Sequence, residues 1–324
     1  MRIVFMGTPA FAVPCLKALS EAGHQIIGIF TQPDRPFGRK QVLKAPPVKD
    51  WAAEKRIEVY QPEKIRTEEN IEILKRLAPE IIVVVAYGQI LSQKILDIPP
   101  FGCVNVHASL LPKYRGAAPI NWSIINGEKV TGVTTMFMEA GLDTGDIIMK
   151  KETLIGPDEN TEMLGTRLSS MGAELIVETL IAIEKGNACR LPQINQDSSY
   201  ASMLNKSLSR IEWGKSAREI HNFIRGMNPW PIAWTIFDEK KVKIFRSKVA
   251  EDRSQDAEDE SQAAENESKN TDPGVVYEVR KDTIVVNCVK GKLEIKELQF
   301  ESGKRLESDV FLRGFEIKKG DKFL

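Results

Sequence analysis

The feature that most constrains the fold is a run of β-branched residues at Glu80–Ala86, which reads EIIVVVA. Such a run is typical of a strand buried on both faces, as in a parallel sheet that is covered by helices. Further apolar runs occur at Arg2–Met6, His24–Thr31 and Cys103–Val106, and segments with helical spacing separate several of them. This alternation predicts an α/β, Rossmann-like domain with a mainly parallel sheet and right-handed crossovers.

The C-terminal third of the chain has a different pattern. One amphipathic helix, Ser216–Met227, precedes five short strand candidates, which suits a small β-barrel of the oligonucleotide-binding (OB-like) type. His221 on this helix is interpreted as a surface or interdomain residue rather than a catalytic one. The polar, irregular stretch before the helix predicts a linker. We therefore divide the chain into residues 1–189, a linker at 190–206 and residues 207–324.

Charge is unevenly distributed, although the formal net charge of the chain is zero. Residues 250–272 contain nine acidic and two basic residues, a net charge of −7, and few apolar ones. A segment of this composition cannot bury a core, so we expect the insert to be disordered. The remaining chain carries +7, which can attract nucleic acid or phosphorylated ligands, although ordinary surface variation explains it equally well.

An amide and an imidazole lie two residues apart in the segment NVHASLLPKYRGAAP. Alternate residues of a strand point to the same face, so Asn105 and His107 should project together from the end of one strand. Ligands of open α/β sheets bind at the carboxyl ends of the strands. The pair can polarise a carbonyl and stabilise an oxyanion there, and a strand end with a structural histidine is the alternative.

The segment Gln32–Lys49 contains four prolines and a glycine, which argue against helix or strand. Five basic residues, among them Arg35, Arg39 and Lys40, accompany a single acidic one. Long loops in compact domains are commonly functional, and a basic one can reach a phosphate backbone. A solvated surface loop is an equally good interpretation of the composition.

Two further loops carry candidate polar groups. Tyr87–Leu91 follows the Glu80–Ala86 strand, where its backbone groups can contact a flat heterocycle. Asp143 lies between two glycines in EAGLDTGD. An aspartate in such a loop is usually a turn former, but opposite the Asn–His pair it can hold His107 in the protonated form.

Several classes of protein are disfavoured. The four cysteines and three histidines have no metal-ligand spacing and suggest no disulfide framework, so no metal is expected. Residues 7–12 read GTPAFA rather than GxGxxG, which argues against a dehydrogenase. The N-terminal MRIVFMGTP enters a strand directly, so we expect a soluble, cytoplasmic protein that has no membrane partner.

Six motifs occur in order along the chain: FMGTPAFAVPCL, TQPDRPFGR, VVVAYGQIL, NVHASLLPKYRGAAPINW, GLDTGDI and NPWPIAW. With them the chain resembles the methionyl-tRNA formyltransferases over nearly its whole length. The Asn-x-His segment, SLLPxxRG and the later aspartate are shared by the wider group of hydrolases and transferases that use 10-formyltetrahydrofolate. TQPDRPxGR and NPWP are similar to the tRNA enzymes in particular.

The resemblance implies transfer of a formyl group from 10-formyltetrahydrofolate, a co-substrate, to the α-amino group of methionyl-initiator tRNA. It implies a catalytic trio of Asn105, His107 and Asp143. It implies folate contacts at Tyr87, Gly88, Gln89, Ile90 and Leu91, at Ser109, Leu110, Leu111 and Pro112, and at Asp143. It further implies that the loop with Arg35, Arg39 and Lys40 enters the tRNA acceptor arm. We expect a monomer.

In the mechanism that we expect from these residues, Asn105 and protonated His107 stabilise a tetrahedral intermediate and Asp143 assists proton transfer. Two alternatives stay open. One is another 10-formyltetrahydrofolate-dependent formyltransferase or hydrolase that acts on a small amine or on water, which would need neither the basic loop nor the second domain. The other is a non-catalytic tRNA-binding protein, in which the trio should be degenerate, whereas it is intact.

Overall fold

The computed structural model describes residues 1–37, 42–250 and 272–324. Arg39, Lys40 and residues 251–271 of the acidic insert therefore lie outside the described residues. The chain divides into two compact units. Unit 1 comprises Met1–Pro119, Val130–Leu154 and Leu164–Ser202, and unit 2 comprises Ile120–Lys129, Ile155–Met163 and Met203–Leu324.

The strands of unit 1 are β1 (Arg2–Gly7), β2 (Gln25–Phe30), β3 (Arg35–Phe37), β4 (Val42–Lys44), β5 (Val59–Tyr60), β6 (Ile81–Val85), β7 (Cys103–His107), β8 (Arg115–Gly116), β9 (Val130–Phe137), β10 (Ile147–Leu154) and β11 (Tyr200–Ala201). The helices up to residue 184 are α1 (Val13–Glu21), α2 (Pro47–Lys55), α3 (Glu68–Leu77), α4 (Gln93–Leu96), α5 (Pro119–Ile125) and α6 (Thr161–Glu184).

Within the described residues, seven strands form the main sheet of unit 1, in the order β10-β9-β7-β6-β1-β2-β5. Neighbouring strands from β5 to β7 run parallel, and every residue of β6 and β7 is buried. Their apolar side chains divide between two core clusters, as expected for strands that are covered on both faces. The prediction of a mainly parallel α/β domain is confirmed.

The last two strands of this sheet reverse direction. β9 is antiparallel to β7, and β10 is antiparallel to β9. The connection between β9 and β10 begins near the amino end of β7, where the N–H of Met138 donates to the carbonyl of Cys103 at 2.8 Å. Further along this connection, the carboxylate of Asp143 bonds to Asn105 of β7 and lies near His107 of the same strand.

The expectation that Gln32–Lys49 contains no strand is wrong, because β3 and β4 form a two-stranded antiparallel ribbon in this segment. Pro36 lies opposite Leu43 in the ribbon. Both strands of such a ribbon are edge strands, so a proline whose missing N–H faces outward is tolerated. Val42 and Leu43 are exposed on it.

The segment after α6 continues in unit 1 as far as Ser202. Leu191 exchanges two backbone hydrogen bonds with Ile147 of β10, at 2.9 and 3.0 Å. A 3₁₀ turn at Asn195–Asp197 follows, and β11 then pairs in parallel with β8. These contacts bring residues 190–201 beside the loops that follow β7.

Unit 2 contains α7 (Ala217–Gly226), α8 (Ser308–Phe311) and the strands β12 (Ala233–Phe237), β13 (Lys240–Val249), β14 (Val276–Val279), β15 (Ile284–Asn287), β16 (Lys292–Phe300) and β17 (Leu306–Glu307). Its strands pair antiparallel in the order β12-β13-β16-β15-β14, with β17 beside β16. The predicted C-terminal β domain is confirmed. Ser216 and Glu219 cap α7 through reciprocal hydrogen bonds.

The C-terminal segment closes this sheet. Leu324 exchanges backbone hydrogen bonds with Ile236 of β12, at 2.9 and 3.2 Å. Three residues earlier, the carbonyl of Asp321 accepts from the N–H of Val276 in β14 at 2.7 Å. Both edges of the sheet thus bond to one segment, which protects edge strands from pairing with another chain.

In the parts of the chain that the structure describes, no helix combines the length and the apolar character needed to cross a bilayer.

Candidate active site

Asn105 and His107 project from the same face of β7, as their spacing predicts. In chain order, β7 is the first strand of the main sheet that has an antiparallel neighbour, which is β9. All residues of β7 are buried. Asn105 is 8% exposed and His107 is 6% exposed. Their polar atoms are therefore removed from most solvent, which strengthens any hydrogen bond they make to a reacting group.

The orientation of the His107 ring is fixed by a backbone carbonyl. Nε2 lies 2.9 Å from the carbonyl oxygen of Tyr114, which can only accept, so Nε2 carries a proton. Nδ1 then faces Oδ2 of Asp143 at 3.7 Å, longer than a hydrogen bond. Nδ1 is consequently the ring nitrogen that can bond to a reacting group at this site.

Asp143 completes the predicted trio. Its Oδ1 accepts a hydrogen bond from Nδ2 of Asn105 at 3.4 Å, and its Oδ2 accepts one from the N–H of Gly116 at 2.8 Å. The backbone of Asp143 is left-handed, with φ at 53°. The structure therefore brings an amide donor, an imidazole and a carboxylate together on one face of the sheet.

The predicted folate segment Ser109–Pro112 forms a compact turn. The hydroxyl of Thr134 donates to the carbonyl of Ser109 at 2.7 Å and accepts from the N–H of Leu111 at 3.2 Å. The Leu111–Pro112 peptide is cis, and the side chain of Leu111 is fully buried. Leu110 and Pro112 are only partly buried, so they are the side chains of this turn that a ligand can reach.

The second predicted folate segment, Tyr87–Leu91, directs most of its side chains inward. Tyr87 and Leu91 belong to the core, and burial raises the pKa of Tyr87. Gln89 bonds to the N–H of Ile65 at 2.7 Å and to the carbonyl of Pro62 at 2.9 Å. What the segment leaves accessible is the backbone around the exposed Gly88 and the side chain of Ile90, which is 75% exposed.

The described residues give no sign of a nucleophile or a metal cluster near this site. Burial raises the pKa of the thiols of Cys15 and Cys103 to about 12, so both are protonated near neutral pH. Among the described residues, no group of three or more histidines, cysteines and acids is placed to hold a metal ion.

Comparison with known proteins gives this geometry a context. Residues 1–180 match the family model "Formyl transferase", and residues 203–316 match "Formyl transferase, C-terminal domain". The chain is 46% identical over 321 residues to the methionyl-tRNA formyltransferase of Acetivibrio thermocellus, and the match covers 99% of both chains. The chain belongs to the methionyl-tRNA formyltransferase family.

Further similarities agree with this family. The methionyl-tRNA formyltransferase of Geobacter sulfurreducens is 47% identical over 322 residues, which cover 99% of this chain and 96% of that one. Among solved structures, the N-formyltransferase of Helicobacter canadensis, in complex with folinic acid and dTDP-3-aminofucose, aligns with a TM-score of 0.65. It is 21% identical, and the match covers 90% of this chain and 98% of that chain, so it shows a common fold.

Of the three tRNA-binding residues implied for this formyltransferase, the structure describes one. Arg35 lies on β3, is exposed, and its Nη2 pairs with Oε2 of Glu63 at 3.2 Å. Arg39 and Lys40 lie outside the described residues. Lys49, at the other end of the segment, forms an ion pair with Asp34 at 2.8 Å.

Sequence reasoning missed residues that support the formyltransferase trio. Arg115 follows the trio strand within a quoted motif but was given no role, and Gln193 lies in the segment interpreted as a linker. The two side chains bond to each other, and Gln193 also bonds to the Asp143 loop. Gln193 is separated from these partners by 78 and 50 residues, and no local pattern marks a contact of that kind.

Proposed function

We propose that Asn105, His107 and Asp143 carry formyl transfer from 10-formyltetrahydrofolate to the α-amino group of methionyl-initiator tRNA. The observation that supports this most is the convergence of the three side chains. Nδ2 of Asn105 and Nδ1 of His107 both face the carboxylate of Asp143, at 3.4 and 3.7 Å. Family membership supports the substrates, and the geometry supports the roles of the residues.

In the proposed reaction, the neutral amine attacks the formyl carbon on N10 of the folate. A C–N bond forms and the carbonyl π electrons move to oxygen, giving a tetrahedral intermediate with an oxyanion. Asn105 donates to this oxygen through Nδ2, and protonated His107 donates through Nδ1, because its Nε2 is already bonded to Tyr114. Collapse of the intermediate breaks the bond to N10.

The amine must lose a proton and N10 must gain one. The carboxylate of Asp143 can accept the proton through a positioned water and return it to the leaving nitrogen, so that no net proton is consumed. The same carboxylate supplies the counter-charge for the imidazolium. The N–H of Gly116, which donates to Oδ2 at 2.8 Å, keeps this carboxylate in place during the transfer.

Folate binding by Ser109–Pro112 and Tyr87–Leu91 is part of the same proposal. β6 and β7 are parallel neighbours, with Val84 opposite Asn105, so both segments leave the sheet at the same edge as the trio. The exposed backbone at Gly88 and the side chain of Ile90 offer polar and apolar contacts to a flat ring. The Helicobacter canadensis enzyme, which shares the fold, has folinic acid bound.

The decisive test replaces Asn105 by alanine. We expect kcat to fall by roughly 10²–10³-fold, about 2.7–4 kcal/mol, the range for one oxyanion donor, while folate affinity changes little. Asn228→Ala is a matched control, because Asn228 is also 8% exposed and donates to a backbone carbonyl, that of Phe245. Near-normal turnover of Asn105→Ala in a formylmethionyl-tRNA assay would contradict the role of Asn105.

The basic residues Arg35, Arg39 and Lys40 are proposed to hold the tRNA acceptor arm. Arginine suits this role because its planar fork can bind two acceptors at once. Arg39→Ala should weaken kcat/KM for methionyl-tRNA by about 1–3 kcal/mol, with a shallower salt dependence if the contact is to phosphate. Folate affinity, measured on the same variant, should not change. Equal losses in both quantities would mean a damaged domain, and no loss would remove Arg39 from the tRNA site.

A further inference from the structure

A glutamine outside the trio bonds to the backbone of the loop that carries Asp143. Nε2 of Gln193 donates to the carbonyl oxygens of Asp143, at 2.9 Å, and Gly145, at 2.8 Å. Its Oε1 accepts from Nε and Nη2 of Arg115, at 3.1 and 2.8 Å. A side-chain amide has two N–H donors and one carbonyl acceptor, so every polar group of Gln193 is engaged.

The Arg115 side chain determines which way this amide points. A guanidinium only donates, so Oε1 of Gln193 must face it and Nε2 must face the loop. Arg115 is buried, and its Nη1 donates to Oδ1 of Asn195 at 3.0 Å. Its hydrogen bonds are charge-assisted, which makes them stronger than bonds between neutral groups. The amide of Gln193 is therefore held firmly in the orientation that can serve the loop.

The Asp143 loop needs such support. Asp143 has a left-handed backbone, which costs energy for a residue with a side chain and persists only where the surroundings impose it. Glycines at 141 and 145 flank it and add backbone freedom. Residues 139–142 are all exposed, so they offer little packing. The two bonds from Gln193 fix the carbonyls of Asp143 and Gly145 in this loop.

Gly116 binds the side chain of Asp143, whereas Gln193 binds its main chain. The N–H of Gly116 donates to the carboxylate of Asp143, and Gly116 follows Arg115 directly in β8. The main chain of Asp143 is thus tied to β8 through Gln193 and Arg115, and its side chain is tied to β8 through Gly116. Two connections therefore hold Asp143 in the arrangement in which its carboxylate faces His107.

We propose that Gln193 is a positioning residue for formyl transfer, which fixes the main chain of Asp143 so that its carboxylate faces Asn105 and His107. This inference rests on the role proposed above for Asp143. Gln193 acts on the reaction through Asp143 and touches no reacting atom. Arg115 contributes by selecting the orientation of the Gln193 amide.

Two replacements of Gln193 separate its donor half from its acceptor half. Gln193→Met keeps the length and loses all hydrogen bonds. Gln193→Glu still accepts from Arg115 but cannot donate to the two carbonyls. Both variants should lose kcat by roughly 10- to 100-fold, because small displacements of a catalytic group have effects of that order. KM for the folate and for methionyl-tRNA should stay unchanged.

Gln299→Met is the matched control. Gln299 is also partly buried, and its Nε2 donates to the carbonyl of Gly303 at 2.8 Å in a turn of unit 2. We expect this variant to keep its kcat. A Gln193→Glu variant with normal kcat would overturn the inference, because the donor half of the amide would then have no role.

A double-mutant cycle distinguishes positioning from general stability. If Gln193 acts through Asp143, Gln193→Met should cause no further loss of single-turnover rate in an Asp143→Ala background. An equal further loss in that background would indicate a merely structural role and overturn the inference. If Asp143→Ala alone keeps normal turnover, the proposed role of Asp143 fails, and the inference fails with it. If Asp143→Ala is impaired but Gln193→Met is not, the inference alone fails.

Discussion

Two histidines occupy similar surroundings in two regions of the molecule, the end of β7 in unit 1 and the middle of α7 in unit 2. His107 is 6% exposed and His221 is 3% exposed. In each, Nε2 lies 2.9 Å from a backbone carbonyl, that of Tyr114 or that of Pro157. Each ring also has an aspartate oxygen nearby, at 3.7 Å for His107 and 3.5 Å for His221.

The difference between them is the second ring nitrogen. Nδ1 of His221 lies 3.1 Å from the hydroxyl of Ser247, so both of its nitrogens have hydrogen-bond partners. Nδ1 of His107 has no hydrogen bond within the described residues and faces the Asp143 carboxylate. Burial and a carbonyl partner therefore do not separate a candidate catalytic imidazole from a structural one. The open nitrogen does, because it lies beside a carboxylate whose side chain is only 12% exposed.

The largest expected effect is on turnover after His107→Ala. Loss of the proposed oxyanion donor should lower kcat by roughly 10²–10³-fold, about 2.7–4 kcal/mol. His221→Ala removes an equally buried ring and should leave kcat near normal, which makes it the matched control. Similar losses of kcat in His107→Ala and His221→Ala, measured under conditions where both variants are folded, would contradict this distinction between the two histidines.

A smaller effect is expected on stability. His221→Ala leaves the Pro157 carbonyl and the Ser247 hydroxyl without their partner, which should lower the free energy of unfolding of unit 2 by about 1–3 kcal/mol. Four of the five tryptophans, Trp122, Trp213, Trp230 and Trp234, lie in unit 2, so tryptophan fluorescence during urea unfolding reports mainly on it. An unchanged unfolding midpoint would show that the two bonds of His221 contribute little.

The smallest effect concerns pH. Burial lowers the pKa of His221 from its ordinary value of 6.5, although the Pro157 carbonyl acts in the opposite direction. At a pH below this ordinary pKa, His221 binds a proton more readily in the unfolded chain than in the folded one. The free energy of unfolding therefore falls as the pH decreases. His221→Gln should therefore lose less stability than the unmodified protein between about pH 7 and about pH 5. Parallel pH profiles of the two proteins would contradict this.

The sequence predicts most of what depends on local spacing. Asn105 and His107 fall on one face because a strand repeats every two residues, and the fully buried β6 follows from its β-branched run. Asp143 was identified through a motif and lies where the trio requires it, although its role stays a prediction. The fold class follows from the order of strands and helices alone.

What the sequence did not predict depends on contacts between distant residues. His221 was interpreted as a surface or interdomain residue, and "surface" is wrong, because partners 26 and 64 residues away bury it in unit 2. The β3–β4 ribbon was missed because proline counts do not show which N–H groups face outward. Gln193 was missed because a single glutamine in a polar stretch has no periodic signal.

The return of residues 190–202 to unit 1 has a consequence for dissecting the protein. A fragment that ends at residue 180, where the first family match ends, contains the whole trio but not Gln193, Asn195 or β11. In a chimaera joined at that point, Arg115 would be buried without its amide acceptors, and the partner unit would have to supply them. A crossover after Ser202 instead keeps Gln193, Asn195 and β11 on the same segment as Arg115 and β8, to which they bond.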